Sequence, residues 1–209
     1  MTPFDLVSGL LDANAVRLSP RNPFTWASGL HSPIYCDNRQ LLGFPELRSS
    51  LRLALAERAA LAKPTLIAGT STAGIPWATL VADELGLPLA YVRPVPKKHG
   101  MGRQVEGPHV DGHRVVLIED LISTGGSSIK CVEALRHEDA EVLEVLALFS
   151  YGLPQASAAF QAAAVALSVL ATFEEMAGRA LERGILDDRD MESLAEWRAD
   201  TLAWSKRHE

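Results

Sequence analysis

The chain has 209 residues, a formal charge of −6, 47% hydrophobic and 22% charged residues, and only two cysteines. This is enough chain for one sizeable globular domain, and the acidic balance argues against broad nucleic-acid binding. Cys36 and Cys131 make no disulfide framework and read as small buried side chains suited to a reducing cytoplasm.

Phe4, Leu6, Val7, Leu10, Leu11 and Val16 have the spacing of an amphipathic first helix. The N-terminus lacks a basic segment and carries Asp5 and Asp12 within its apolar pattern, so it does not read as an export signal. Residues 19–45, rich in Pro, Gly, Ser and Asn, predict turns with short extended pieces. A leucine- and alanine-rich helix is expected over 46–62, then a strand at 65–68, a small-residue loop at 69–73 and a helix to 85. A strand at 89–93 leads into a long loop, 94–109. The next strand contains Val115, Val116, Leu117 and Ile118, and its helix carries Ile129, Val132 and Leu135. A strand over 142–149, a helix from about 155, a strand over 165–170 and terminal helices complete the chain. The most apolar stretch, 161–171, is alanine-rich and too short to span a bilayer. Repeated β-then-α units with short connections predict an α/β fold with a doubly wound, mostly parallel sheet. No internal repeat, linker or low-complexity tract interrupts it, so a single domain over 1–209 is expected.

The segment from Val115 to Ser127 is the most informative. Its four apolar residues do not alternate, as in a parallel strand buried on both faces. Glu119 and Asp120 follow, then Leu121, Ile122, Ser123, Thr124, Gly125, Gly126 and Ser127 turn into a helix. Such a loop puts backbone N–H groups and a helix N-terminus at the carboxyl edge of a sheet, where phosphate binds. The two carboxylates suit sugar hydroxyls rather than phosphate. Together they describe a site for a ribose 5-phosphate. The lysine of the Walker motif is absent, and no G-x-G-x-x-G follows a strand, which argues against a nucleotide hydrolase or a dinucleotide enzyme.

This segment resembles the phosphoribosyl-pyrophosphate (PRPP) signature of type I phosphoribosyltransferases. Two other segments keep the order of the orotate phosphoribosyltransferases. The loop Arg93-Pro94-Val95-Pro96-Lys97-Lys98-His99-Gly100-Met101-Gly102-Arg103 resembles the catalytic loop that closes over PRPP. Residues 24–37, with Ser28-Gly29, Ser32-Pro33, Trp26 and Tyr35, resemble the N-terminal substrate segment.

The resemblance implies the type I phosphoribosyltransferase fold, with a small hood formed by residues 1–45. It implies Mg²⁺-dependent transfer of phosphoribosyl from PRPP to orotate, giving orotidine 5′-phosphate and pyrophosphate in pyrimidine (UMP) biosynthesis. By the same resemblance Lys97, Arg93 and His99 are catalytic. Glu119 and Asp120 hold the ribose, Thr124, Gly125, Gly126 and Ser127 cradle the 5′-phosphate, and Leu121, Ile122 and Ser123 belong with them to the PRPP-binding segment. Thr70, Ser71, Thr72 and Ala73 bind pyrophosphate, and Ser123 contacts orotate. Ser28 and Tyr35 belong to the hood over the pyrimidine, where Tyr35 and Trp26 read as packing residues more than as ligands. No protein metal cage is expected, since substrate phosphates, ribose hydroxyls and water would hold Mg²⁺. A homodimer with shared sites is implied, and no nucleic-acid or membrane partner. The chain departs from many members by having Ala27, Thr72-Ala73, Pro94 and Tyr151 where they carry cations or a Tyr-Lys pair. His31, Lys98 and Arg103 are candidate substitutes. A phosphoribosyltransferase for another base would share the signature but lack the 28–35 segment. A non-catalytic PRPP sensor that binds DNA would need a basic module, for which this acidic chain has no room.

Overall fold

The computed structural model describes residues 5–26, 28–94 and 104–209. Helix α1 (Leu6–Asp12) starts where the Asp5 side chain accepts a bond from Ser8 N at 3.1 Å. It ends sooner than the apolar spacing predicts, because Asn14 adopts φ 52°, a left-handed turn that stops the helix. Val16, expected in that helix, instead opens β1 (Val16–Leu18) and is buried there. β2 (Phe24–Thr25), β3 (His31–Ser32) and β4 (Ile34–Cys36) follow, with β1 antiparallel to β4 and β2 antiparallel to β3. A 3₁₀ turn at Asn38–Gly43 leads into α2 (Pro45–Ala60).

The rest alternates strand and helix: β5 (Leu66–Thr70), α3 (Gly74–Leu85), β6 (Leu89–Val92), β7 (Val105–Glu106), β8 (Arg114–Ile122), α4 (Gly126–His137), β9 (Glu141–Ser150), α5 (Pro154–Ala162) and β10 (Ala166–Thr172). The six strands form one sheet in the order β10-β9-β8-β5-β6-β7, parallel except for β7. β7 lies within the expected loop 94–109. It forms because Val105 buries its side chain and pairs antiparallel with Val92. The apolar run of β8 sends Val116 and Ile118 into the core under α2 and α3, and Val115 and Leu117 into the core under α4. Both faces are covered, which is why the run does not alternate.

Three C-terminal helices, α6 (Phe173–Glu182), α7 (Asp188–Ala199) and α8 (Thr201–Arg207), fasten the N-terminal strands. Arg21 bonds Asp190 through Nε at 3.0 Å and also pairs with Asp187. The His31 backbone N–H donates to Ser205 Oγ at 2.8 Å, and the Trp26 ring meets the buried Trp197 edge-on at 6.1 Å. These contacts lie more than a hundred residues apart in sequence, beyond the reach of any local pattern.

Candidate active site

From β5 the chain winds outward through β6 and β7, then returns to place β8 on β5's other side and continues outward through β9 and β10. The carboxyl ends of β5 and β8 therefore flank the point where the winding reverses, which is where open α/β sheets bind ligands. A helix begins close after each of these two strands, and neither has a side-chain cap: the N-cap position is Ala73 for α3 and Gly125 for α4. By contrast, α6 and α7 carry full capping boxes, at Thr172 and Asp187. Uncapped helix starts offer backbone N–H groups to anions. The α4 start keeps its full set, whereas at α3 the Ile75 N–H already donates to the Thr72 carbonyl at 3.3 Å and Pro76 has none, so fewer donors remain there. Gly125 takes φ +82° there, and a β-carbon on it would fall 2.8 Å from the Phe160 ring, so a side chain at this position would be both strained and crowded. Gly74 lies so close to the Thr70 hydroxyl and the Ile118 carbonyl that any β-carbon would collide with both.

Between the two helix starts is a cavity of about 490 Å³. Its walls include Thr70, Ser71, Thr72 and Ala73 from the first loop, Glu119, Asp120 and Leu121 from β8, and Ser127, Lys130 and Cys131 from α4. Cys36, Asp37 and Arg39 from the hood, together with Pro94, complete the lining. The pyrophosphate-loop and signature residues named from sequence thus converge on one space. Ile122 instead points into the core, while Thr124, Gly125 and Gly126 shape the turn without lining this cavity.

The two acids differ in role. β8 runs to Ile122, past both acids, because Leu121 and Ile122 still pair with Phe149 and Ser150. The acids therefore stand on the strand itself, and alternation turns them to opposite sides. Glu119 is 6% exposed and accepts from Thr70 Oγ1 at 2.6 Å, Asp120 N at 3.0 Å and Ser128 Oγ at 3.0 Å. Its carboxylate ties the end of β5 to the first turn of α4. Burial pushes its pKa up to about 7, and the neighbouring Asp120 adds to the rise. Asp120 is less enclosed; burial also raises its pKa, against lowering by hydrogen bonding with Glu119 and the backbone and, to a lesser extent, by the charge of Arg39. Its carbonyl accepts from Asn38 Nδ2 at 2.6 Å, and Asn38 is fully buried. Asn38→Ala would leave that carbonyl unpaired and loosen the hood from the acid. The expected cost is about 1–3 kcal/mol in chemical denaturation.

A smaller cavity of about 240 Å³ adjoins through the shared Cys36 and Leu121. Trp26, Tyr35, Ser123 and Tyr151 form its other walls. Trp26 and Tyr151 stack at 5.6 Å and 13°, and Tyr151 meets Phe149 and Trp197 edge-on. The Trp26 N–H donates to the Ile34 carbonyl at 3.1 Å. The space is therefore lined by aromatic rings, with the Ser123 hydroxyl and the two tyrosine hydroxyls among its polar groups, and its described walls carry no charged side chain. Such a space suits a planar ring. Ser28 lies exposed in the turn after β2 and lines neither cavity. His31 turns away as well, its Nδ1 lying 2.7 Å from the His208 carbonyl on the C-terminal side. Burial raises both thiols, to about 12 for Cys131, so neither offers a thiolate nucleophile near neutral pH.

Arg93 stands at the stem of the basic loop, paired with Glu106 at 3.4 Å, and its backbone N–H donates to the Gln104 carbonyl at 2.9 Å. Lys97 and His99 lie outside the described residues, as do Lys98 and Arg103. Sequence reasoning missed Asn38, Ser128, Arg39 and Lys130. Asn38 and Arg39 sit in a turn where polar residues are ordinary, whereas Ser128 and Lys130 follow Ser127 at positions that a helix spacing argument can reach.

The model for the phosphoribosyl transferase domain matches residues 48–159. An orotate phosphoribosyltransferase of Listeria monocytogenes is 47% identical over 199 residues, which is 94% of this chain and 95% of that relative. The structure of orotate phosphoribosyltransferase from Aeropyrum pernix, 30% identical, superposes with a TM-score of 0.71 over 88% of this chain and all of that one. The Leishmania donovani UMP synthase structure gives a TM-score of 0.78 at 26% identity, covering 92% of this chain and 41% of that longer one. Two bare helix starts beside an acidic strand end, and likeness along nearly the whole chain, lead to one assignment: this chain belongs to the orotate phosphoribosyltransferase family.

Proposed function

We propose that the chain transfers phosphoribosyl from PRPP to orotate, releasing pyrophosphate and forming orotidine 5′-phosphate for UMP synthesis. The observation that carries this reading is the pair of uncapped helix starts at the ends of β5 and β8, with Asp120 between them and an aromatic cavity alongside. A donor with a phosphate at one end and a pyrophosphate at the other needs two anion sites separated by a diol reader. The first turn of α4, with Ser127, receives the 5′-phosphate, and residues 70–73 receive the pyrophosphate. Asp120 accepts from the ribose hydroxyls. Orotate enters the aromatic cavity beside the stacked Trp26 and Tyr151 rings, and the Ser123 hydroxyl orients it.

Breaking the bond at the anomeric carbon leaves positive charge on the sugar and negative charge on the departing pyrophosphate. The protein's part is to align the two substrates and stabilise that separation. Lys97, with Arg93 and His99, is assigned to the leaving pyrophosphate. Mg²⁺ when bound neutralises pyrophosphate charge. Among the described residues no cluster of three His, Cys, Asp or Glu side chains is placed to cage it, while Asp37 and Asp120 offer the hard oxygen donors its waters prefer. A homodimer with the basic loop serving the neighbouring site, acting in the cytoplasm, completes the reading. Among the described residues no helix is long and apolar enough to cross a membrane.

The direct test is PRPP-dependent loss of orotate absorbance, with uracil and hypoxanthine as alternative acceptors. Turnover of hypoxanthine in place of orotate would overturn the base assignment. Asp120→Asn should keep the fold and lower kcat/KM for PRPP by roughly 10–100-fold, the loss of one charge-assisted contact of about 1.5–3 kcal/mol. Full activity at limiting PRPP would remove Asp120 from the ribose.

A further inference from the structure

The main cavity contains a guanidinium to which the reading above gives no role. Arg39 lies in the 3₁₀ turn Asn38–Gly43 and lines the same cavity as residues 70–73. Its Nε donates to Asp37 Oδ1 at 2.6 Å, the one bond its guanidinium makes among the described residues. Asp37 is only 18% exposed and so anchored, whereas Arg39 is 65% exposed. The pair therefore fixes the stem side of the guanidinium and leaves both terminal nitrogens without a bond among the described residues, at the wall of the cavity. Asp120 senses this cation, since the charge of Arg39 pulls its pKa down.

The charge balance of the cavity calls for such a group. Asp37, Glu119 and Asp120 stand in its wall, and among the described residues only Arg39 and Lys130 oppose them. Lys130 follows Ser127 by three residues on α4, hence on the same helical face, and lies on the side of the α4 start. Residues 70–73 offer hydroxyls and backbone groups but no cation. A pyrophosphate bound there needs a counter-charge, and a planar guanidinium can engage phosphate oxygens with two parallel bonds. Arg39 is absent from the aromatic cavity, so it is not placed to meet a charge on the base.

We propose that Arg39, aimed by Asp37, binds the pyrophosphate end of the phosphoribosyl donor. This rests on the donor reading given above. The test is titration of inorganic pyrophosphate, with Mg²⁺, into wild type, Arg39→Gln, Arg39→Lys and Asp37→Asn, with ribose 5-phosphate titrated in parallel and KM values measured for PRPP and orotate. Arg39→Gln should weaken pyrophosphate and raise KM for PRPP at least about tenfold, leaving ribose 5-phosphate affinity and the KM for orotate unchanged. Arg39→Lys should recover part of the loss, because it keeps the charge without the fork. Asp37→Asn should fall between wild type and Arg39→Gln. Unchanged pyrophosphate affinity in Arg39→Gln would overturn the proposal, as would an equal loss for ribose 5-phosphate or a change confined to orotate. An Asp37→Asn protein indistinguishable from wild type would overturn the aiming role. If the wild type itself fails to consume orotate with PRPP, the enzymatic reading falls; an active wild type with an unaffected Arg39→Gln defeats this inference alone.

Discussion

At pH 8 the Glu119→Gln protein will unfold at a higher temperature than the wild type, and Glu119→Ala will unfold below both. The reason lies in where the carboxyl sits. Glu119 is nearly enclosed, and its oxygens accept from Thr70, Ser128 and the Asp120 backbone. Burial lifts its pKa from 4.5 to about 7. A carboxyl whose folded pKa is raised is better held protonated, so its contribution is fully present below the unfolded value. As pH rises from 4.5 toward 7 the unfolded chain binds fewer protons than the folded one, and stability falls; above that window it levels off. Glutamine mimics the protonated acid. Its carbonyl can keep the Thr70 and Asp120 bonds, and its amide can donate to Ser128 if that hydroxyl turns. The advantage over wild type should be near zero at pH 4.5 and grow to at most about 3 kcal/mol by pH 8. Alanine leaves three buried donors without an acceptor, at a cost of about 1–3 kcal/mol for each that finds no other partner. Denaturant unfolding of the three proteins at pH 5, 6, 7 and 8 checks this. A difference between Gln and wild type that does not change with pH would show that Glu119 does not titrate in that window.

The same residue shows how far local sequence reading reaches. The apolar run, acidic pair and glycine turn were legible because each is local: non-alternation signals a strand covered on both faces, and small residues signal a tight strand-to-helix turn. The pattern could not assign different work to the two acids. That depends on β8 continuing past Glu119 and Asp120, which the pairing with β9 enforces, and on Thr70 and Ser128 arriving from other elements. The hood reads similarly. Its Pro, Gly and Ser content predicted turns and short strands over 19–45, and β2 to β4 are such strands, whereas β1 begins at Val16, expected in the first helix. Its grip on α7 and α8 through Arg21, Trp26 and His31 is invisible locally. Tyr151, read as a departure from a family cation, becomes the sheet-side wall of the aromatic cavity through its stacking with Trp26. β7 escaped notice because two residues carry too little periodicity to register.

Lys97→Ala is expected to have the largest effect on turnover, a fall in kcat of roughly 10²–10³-fold, by analogy with removal of one electrostatic donor from a transition state. The assignment of Lys97 rests on the resemblance of its loop. The stem of that loop is where such a role requires it: Arg93 and Gln104 exchange backbone and side-chain bonds at its base, and Pro94 lines the main cavity. A contact made mainly as pyrophosphate departs lowers kcat, whereas one made equally in the ground state raises KM for PRPP. The second pattern would make Lys97 a simple binder. The same variant tests the shared site. Lys97→Ala and Asp120→Asn proteins, each weakly active, are mixed under conditions where differently tagged chains are shown to exchange. If the loop acts on the partner's cavity, one site of each mixed dimer combines an intact loop with an intact acid, and up to about half of that dimer's activity returns. If the loop serves its own chain, both sites of every mixed dimer keep one defect and no activity returns. Verified heterodimers without recovery would overturn the shared-site reading and leave the transfer reaction to stand on the orotate assay.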